Sequence, residues 1–170
     1  MSDKLKDAQD EFLNHWGVVG PQWGINRTMA QVHALLIISV DPISTDDIME
    51  ELAISRGNAH KNLKELQNWG LIRTIIKRGD RKEYFEAEKD VLKMFKLVIK
   101  ERRRRELDPA IEVVTACAEK TVGMKGKEAE LFHKQMKDIS ELLGTGAKVL
   151  DKFSQSDKNL VLTLLLKTLK

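Results

Sequence analysis

The stretch that decides the fold is PISTDDIMEELAISRGNAHKNLKELQNWGLIRTIIKRGDRKEYFEAE, residues 42–88. Its first part predicts a helix that begins at Ser44 or Thr45, because a hydroxyl side chain can accept a hydrogen bond from the free N–H groups of a first helical turn. Ile48 and Leu52 lie one turn apart and supply the buried face of this helix. The stretch therefore opens with a short amphipathic helix.

A second helix is predicted over residues 56–69, after a turn at residues 53–54. Ser55 is a suitable N-cap, and Gly70 can end the helix in the left-handed conformation that glycine adopts without strain. Apolar residues at helical spacing mark its buried face: Ala59, Leu63 and Leu66. The opposite face and its edges are polar and basic, and begin with small residues: Gly57, Asn58, His60, Lys61, Lys64 and Asn68.

Two β-rich runs follow the second helix. Residues 71–77 (LIRTIIK) and 82–87 (KEYFEA) are rich in β-branched and aromatic side chains, and Gly79-Asp80 lies between them, which is a hairpin signal. Helix, turn, helix and hairpin in this order are the plan of a winged helix-turn-helix, which places its second helix in the DNA major groove. We therefore predict a mostly α fold with a small β-hairpin, and a winged helix-turn-helix DNA-binding domain over residues 25–88.

Positive charge is concentrated in the same stretch. The 170-residue chain has a net charge of +3, but residues 55–82 contain eight basic and two acidic residues, a surplus of +6. The rest of the chain therefore sums to −3. This segregation is the electrostatic footprint of a surface that binds a phosphate backbone. The sequence predicts double-stranded DNA as the partner of this surface.

The residues expected to contact DNA lie on the second helix and at the tip of the hairpin: Ser55, Arg56, Asn58, His60, Lys61, Lys64, Arg78 and Arg81. Asn58 and His60 are candidate base readers, and the lysines are candidates for phosphate contacts. The alternative is a winged-helix module that binds a protein partner without specific DNA binding. A neutral or acidic second helix would be expected in that case.

Helices are predicted on both sides of the winged helix-turn-helix. Residues 2–19 carry apolar side chains at spacings of three and four: Leu5, Ala8, Phe12, Trp16 and Val19. Another helix is expected over residues 26–40. We predict that residues 1–24 form an N-terminal helix that packs or dimerises, and that residues 89–170 form a helical dimerisation region. Two recognition helices would then lie about one DNA turn apart, roughly 34 Å, over a pseudo-palindromic operator.

The C-terminal region carries the most regular apolar pattern of the chain. Asp108 as an N-cap, with Pro109 at the first helical position, predicts a kink or a new helix here. Beyond it, apolar or small residues form a seam with a period of 3.5 residues: Ala129, Phe132, Met136, Ile139, Leu143, Gly146, Leu150 and Phe153. A last apolar helix is predicted over residues 157–169. The run Arg102–Arg105 is interpreted as a solvated face paired with Glu101 and Glu106, with a phosphate contact as the alternative.

Three stretches resemble the GbsR branch of the MarR-like transcriptional regulators: residues 23–36, 42–88 and 100–112. The combination that carries the resemblance is Trp23-Gly24 with Arg27, Ser55 with Gly57-Asn58, and the wing GDRKEYFEAE at residues 79–88. The resemblance implies a homodimer with a winged helix on each protomer, which represses or activates nearby genes. Some members of the family respond to choline or related osmolytes, which implies a small-molecule effector.

Four aromatic residues allow two interpretations: Phe12, Trp16, Trp23 and Trp69. Aromatic cages bind quaternary ammonium groups through cation–π attraction of about 0.5–2 kcal/mol per contact. The other interpretation is ordinary packing of large side chains where helices meet. Trp16 and Trp23 are the candidate ligand-binding residues.

No catalytic residue, metal ligand or cofactor site is predicted. The four histidines share no metal-ligand spacing, and no glycine-rich phosphate loop follows a strand. The single cysteine, Cys117, lies in an apolar helical stretch and is interpreted as a small buried hydrophobe rather than a redox sensor. We therefore expect that the protein is not an enzyme. A single cysteine allows no intramolecular disulfide, which fits the reducing cytoplasm. The longest apolar run, residues 160–166, is too short to span a bilayer.

Overall fold

The computed structural model describes residues 3–156, which are mostly helical with one small antiparallel sheet. The helices are α1 (Asp3–Val19), α2 (Arg27–Ile38), α3 (Thr45–Leu52), α4 (Arg56–Asn68), α5 (Val91–Arg102), α6 (Asp108–Lys120) and α7 (Lys127–Gln155). The strands are β1 (Ile43–Ser44), β2 (Ile72–Ile76) and β3 (Glu83–Ala87). The chain divides into two compact units between Met94 and Phe95. The helix predicted over residues 157–169 lies outside the described residues.

The sheet belongs to the first unit and has β3 at its centre. β3 pairs antiparallel with β2, which confirms the predicted hairpin, and also with β1. Phe85 is buried at the point where it lies opposite both Ile43 and Thr74. β1 was not predicted, because two residues carry no alternating pattern and their pairing partner lies about forty residues further along the chain.

The core of the first unit forms around α2. Asn26 caps this helix by accepting a hydrogen bond from the backbone N–H of Met29 at 2.9 Å. At its other end the Lys89 ammonium donates to the carbonyl oxygens of Leu36, Ile37 and Ser39, at 2.7–2.8 Å. Seven of the twelve residues of α2 are buried. Lys89, which is distant in sequence, stabilises the C-terminus of this core helix through its charge and its hydrogen bonds.

One buried member of α2 is titratable. The His33 ring is almost completely enclosed, and its Nε2 has no hydrogen-bond partner among the described residues. Burial lowers the pKa of His33 from 6.5 to about 4, because the charged ring would lose its hydration. His33 is therefore neutral at neutral pH.

The predicted apolar stripe of α1 is only partly correct. Leu5 is 48% exposed and Ala8 is exposed, whereas the buried positions of the helix are Leu13 and Gly17. A Cβ atom added at Gly17 would lie 2.7 Å from Gln31 Cγ. The reason is that α1 packs on α2 with the Gln31 side chain lying against Gly17, a contact that hydrophobic spacing alone does not reveal.

The second unit consists of the end of α5 with α6 and α7. Ser140 and Thr115 share a hydrogen bond of 2.8 Å between α7 and α6, and the rings of Phe95 and Phe153 meet edge to face at 6.1 Å. Among the predicted seam residues of α7, Phe132, Ile139 and Gly146 are exposed and the others are half-buried. Within the described residues, no helix has both the length and the low charge needed to cross a bilayer.

The predicted break at this point is present, because a π-helical segment precedes α6, but Asp108 is not the N-cap of α6. A π-helical segment, Arg103–Leu107, joins α5 to α6, and Asp108 itself has helical backbone angles. Its carboxylate instead accepts a hydrogen bond from Arg103 Nε at 3.1 Å. This π-helical segment ends just before Pro109, which has no backbone N–H and would interrupt the hydrogen bonds of a regular α-helix.

Ion pairs engage all four arginines of the run at residues 102–105. Arg102 pairs with Glu106, and Arg104 and Arg105 both pair with the buried Glu101. The predicted pairing with Glu101 and Glu106 is confirmed for Arg102, Arg104 and Arg105, which are exposed, but Glu101 itself is buried and Arg103 is half-buried. Arg103 also pairs with Asp151 of α7, which local spacing could not predict.

Candidate nucleic-acid interface

The predicted recognition helix is α4, and its ends form as expected. Ser55 Oγ accepts a hydrogen bond from the backbone N–H of Asn58 at 3.3 Å, and Gly70 has a left-handed φ of 72°. The predicted buried face is confirmed, because Ala59, Leu63 and Leu66 are all enclosed in the core. This packing holds α4 on the first unit by one face only.

The other face of α4 is open to solvent. Every α4 residue predicted to contact DNA is exposed: Arg56, Asn58, His60, Lys61 and Lys64. Gly57 and Asn68 are exposed with them, and a Cβ added at Gly57 would meet nothing within 4 Å. A polar helical face with two exposed lysines and with small residues near its start can enter a DNA groove.

A buried asparagine, not identified from the sequence, orients the candidate base reader. Asn62 Nδ2 donates to both the backbone oxygen and the side-chain oxygen of Asn58, at 2.8 Å each. The Asn62 oxygen in turn accepts from Asn26 Nδ2 at 2.9 Å. Since its oxygen is held by Asn62, the Asn58 amide has a defined orientation in which its N–H groups are the donors for an outside partner.

The wing is ordered by its single acidic tip residue. Asp80 accepts hydrogen bonds from the Lys82 backbone N–H at 2.9 Å and from the Tyr84 hydroxyl at 2.7 Å. These two hydrogen bonds, the backbone one foremost, lower the pKa of Asp80. The Lys77 ammonium lies 3.7 Å from the centre of the Tyr84 ring. Arg78 and Arg81 remain exposed beside this ordered turn.

Asp46, in the first turn of α3, connects the recognition helix to the wing. Its Oδ1 lies 2.6 Å from Arg56 Nη2, and its Oδ2 lies 3.2 Å from Lys82 Nζ. The hydrogen bonds from Arg56 and then Lys82 lower the pKa of the Asp46 carboxyl. A cleft of about 520 Å³ lies between these three elements and is also lined by Arg81. Sequence reasoning missed both Asp46 and Lys82, because no local spacing links them to Arg56.

The aromatic residues divide into two groups. Phe12 and Trp16 have ring centres 5.2 Å apart, and Trp16 meets Trp23 edge to face at 5.4 Å. Trp23 is 45% exposed. Trp69 is instead buried at the end of α4, where its indole N–H donates to Glu65. The structure therefore brings together the two predicted ligand residues, Trp16 and Trp23, without Trp69.

Within residues 3–156, no three histidine, cysteine, aspartate or glutamate side chains lie close enough together to hold a metal ion. Cys117 is half-buried on α6.

Comparison with known proteins identifies relatives of this arrangement. The family model described as "MarR family" matches residues 23–83, which run from the end of the N-terminal segment into the first residue of β3. The chain is 23% identical over 141 residues to the HTH-type transcriptional repressor GbsR of Bacillus subtilis (strain 168). This alignment covers 81% of the present chain and 78% of GbsR.

A solved structure shares the fold. The crystal structure of a transcriptional regulator aligns with a TM-score of 0.69 at 18% sequence identity, over 86% of this chain and 95% of the other. At that identity the likeness concerns the fold alone.

Proposed function

We propose that this chain, a GbsR/MarR-like winged helix-turn-helix regulator that binds DNA, represses transcription as a homodimer on a pseudo-palindromic operator. The observation that carries the proposal is the junction at Asp46. There the exposed face of α4 and the basic wing meet through Arg56 and Lys82. A helix for the groove and a wing for the flanking backbone are thus held as one DNA-binding surface.

The roles of the residues follow from their chemistry. Asn58 and His60 read base edges in the major groove, where asparagine pairs with adenine. Lys61 and Lys64 neutralise phosphates, and the dipole at the N-terminus of α4, capped by Ser55, favours a separate phosphate at that end. Arg56 lies at this end of the helix, and the wing arginines reach the backbone or the minor groove beside it: Arg78 and Arg81.

Exposed apolar side chains support dimerisation. In the first unit Leu5 and Val18 of α1 are exposed, and in the second unit Val113 of α6 and Leu142 and Val149 of α7 are exposed. Leu142 and Val149 are seven residues apart and therefore lie on one face of α7, and an apolar face that is exposed on a helix is a candidate protein interface. Sedimentation of the whole chain at micromolar concentration is expected to show a dimer, and a monomer would contradict this part of the proposal.

Repression is proposed because the similar protein GbsR of Bacillus subtilis is named a transcriptional repressor. A dimer bound across an operator prevents other proteins from occupying the same DNA. A reporter gene behind the operator should therefore be expressed more strongly when this chain is absent.

An effector site is proposed at the cluster of Phe12, Trp16 and Trp23. The Trp23 ring is 45% exposed and offers its free surface to an organic cation, with Trp16 and Phe12 packed next to it. Titration with tetramethylammonium chloride, against sodium chloride at matched ionic strength, should change the tryptophan fluorescence of the wild type. Trp23→Leu should abolish that change, and an equal response in both proteins would contradict the assignment.

The proposed function is tested by selection of bound duplexes from random oligonucleotides. We expect enrichment of a sequence with two inverted half-sites about one helical turn apart, roughly ten base pairs. A module that binds only proteins would retard no duplex even at low salt. That result would favour the alternative function.

A further inference from the structure

We propose that Asp46 is a positioning residue that makes DNA binding selective for the operator, by holding Arg56 and Lys82 as a pair. The inference rests on the proposed DNA-binding function and deepens it. In this role a carboxylate that contacts no base contributes to sequence discrimination.

The geometry places one carboxylate among three elements. Asp46 lies in the first turn of α3, Arg56 is the first residue of α4, and Lys82 immediately precedes β3. The two cations occupy different oxygens of the same carboxylate, at 2.6 and 3.2 Å. One side chain therefore sets the distance between a cation on the recognition helix and a cation on the wing.

The backbone that carries Asp46 is itself well ordered. Ser44 and Asp47 form a capping box, in which Asp47 accepts from both the N–H and the hydroxyl of Ser44 at 2.8 Å. Ser44 also pairs with Tyr84 across the β1–β3 ladder. The backbone next to Asp46 is thus held against β3, the strand that follows the tip of the wing.

The ion pairs have little to do with the stability of the fold. The side chains of Arg56, Asp46 and Lys82 are 68%, 44% and 56% exposed. Pairs this exposed contribute little, because water and salt screen them and their long side chains lose rotamer freedom. The ion pairs instead order the Arg56 and Lys82 side chains before DNA binds, so that these side chains lose less conformational entropy on binding.

The negative charge of Asp46 also weakens the binding of DNA in the wrong register. A phosphate that meets Arg56 and Lys82 together gains two ordered cations at once. A duplex in another register meets one cation and is repelled by the carboxylate. Specificity arises when a repulsive group penalises the wrong partner more than the right one, and Asp46 supplies that group.

The test compares Asp46→Asn with Glu50→Gln in the full chain. Glu50 is an exposed carboxylate on the same helix, so the control removes one negative charge from α3 without breaking the junction. The probes are the most enriched duplex from the random selection and a scrambled duplex of equal length. The readout is the ratio of the two dissociation constants at one salt concentration.

We expect Asp46→Asn to bind the scrambled duplex more tightly, and to reduce the operator-to-scrambled affinity ratio by about tenfold, whereas Glu50→Gln leaves the ratio unchanged. An unchanged ratio in Asp46→Asn, or an equal fall in both variants, would overturn the inference. If the wild type itself binds no duplex, the proposed function fails instead.

A double-variant measurement distinguishes positioning from charge alone. Arg56→Gln should weaken operator binding in the wild-type background by more than it does in the Asp46→Asn background, because the cation is ordered only when the carboxylate is present. Equal fold-changes in the two backgrounds would show that Asp46 acts only through its charge and would overturn the positioning role.

Discussion

The side-chain amide of Asn26 donates to the side-chain oxygen of Asn62 at 2.9 Å. This contact joins the N-terminus of α2 to the middle of the recognition helix. Asn62 is only 1% exposed, and its own amide group donates twice to Asn58. These hydrogen bonds fix the rotation of α4 about its own axis relative to the core. Apolar contacts alone are not directional and fix this rotation less tightly.

The first prediction concerns this link. Asn62→Ala should destabilise the protein by about 1–3 kcal/mol, because it leaves the Asn26 amide and the Asn58 oxygens without their partner. Asn68→Ala, at an exposed position near the end of the same helix, should change stability by less than about 0.5 kcal/mol. Urea unfolding followed by circular dichroism measures both variants, and equal effects would show that the link does not stabilise α4.

The second prediction concerns phosphate contacts. Lys64→Ala should weaken binding to every duplex and reduce the slope of log affinity against log salt by about one unit, because one fewer counterion is released. Lys148→Ala, at an exposed position of α7, is the matched control and should alter neither quantity. Fluorescence anisotropy over a series of salt concentrations gives both values. If Lys64→Ala behaves like the control, the exposed face of α4 is not the DNA surface.

The third prediction concerns pH. The folded state holds the pKa of His33 at about 4 against 6.5 when the ring is free, so the unfolded chain binds the proton first as pH falls. The stability that depends on neutral His33 is complete above pH 6.5 and is lost between pH 6.5 and 4, by about 3 kcal/mol in total.

His33→Leu tests this pH dependence, because the leucine side chain does not titrate. Between pH 7 and pH 4 the wild type should lose about 3 kcal/mol more unfolding free energy than the variant does. Each protein is compared with itself at pH 7, so the packing change caused by the substitution cancels. Parallel pH profiles would mean that His33 gains access to water in the folded state.

The fourth prediction concerns the contact of the N-terminal segment with α2. A Cβ atom at Gly20 would lie 2.5 Å from Ala30 Cβ, which is too close for two carbon atoms. Gly20→Ala should therefore destabilise the first unit by about 1–3 kcal/mol through overpacking. Gly57→Ala is the control, because it adds the same methyl group to open space in a helix and should stabilise by up to about 1 kcal/mol. Thermal unfolding compares the two.

Much of the winged helix could be predicted because its signals are local. Ser55 and Gly70 determine the ends of α4 through hydrogen bonds and backbone angles within a few residues of themselves. The spacing of Ala59, Leu63 and Leu66 identifies the buried face by helical geometry alone. The hairpin likewise follows from a turn flanked by β-rich runs. Each of these features requires information from one short window of sequence.

Features that depend on packing were predicted less well. The spacing of apolar residues on α1 suggested a stripe through Leu5 and Ala8, but the face in contact with α2 is the one that bears Leu13 and Gly17. Gly17 is buried because the Gln31 side chain of α2 lies against it, so its burial depends on the partner helix. Asp108 is a similar case. Its carboxylate does not cap a helix, because it pairs with Arg103, five residues earlier in the chain.

The sequence by itself determined the order of the elements, the limits of α4, its exposed polar face and the concentration of positive charge around it. Only the tertiary structure decided which side chains orient that face. Asn26 and Asn62 are separated by 36 residues, and Asp46 and Lys82 are also far apart along the chain. Periodicity and capping act over a few residues, whereas such contacts exist only after the core has brought α2, α3, α4 and the wing together.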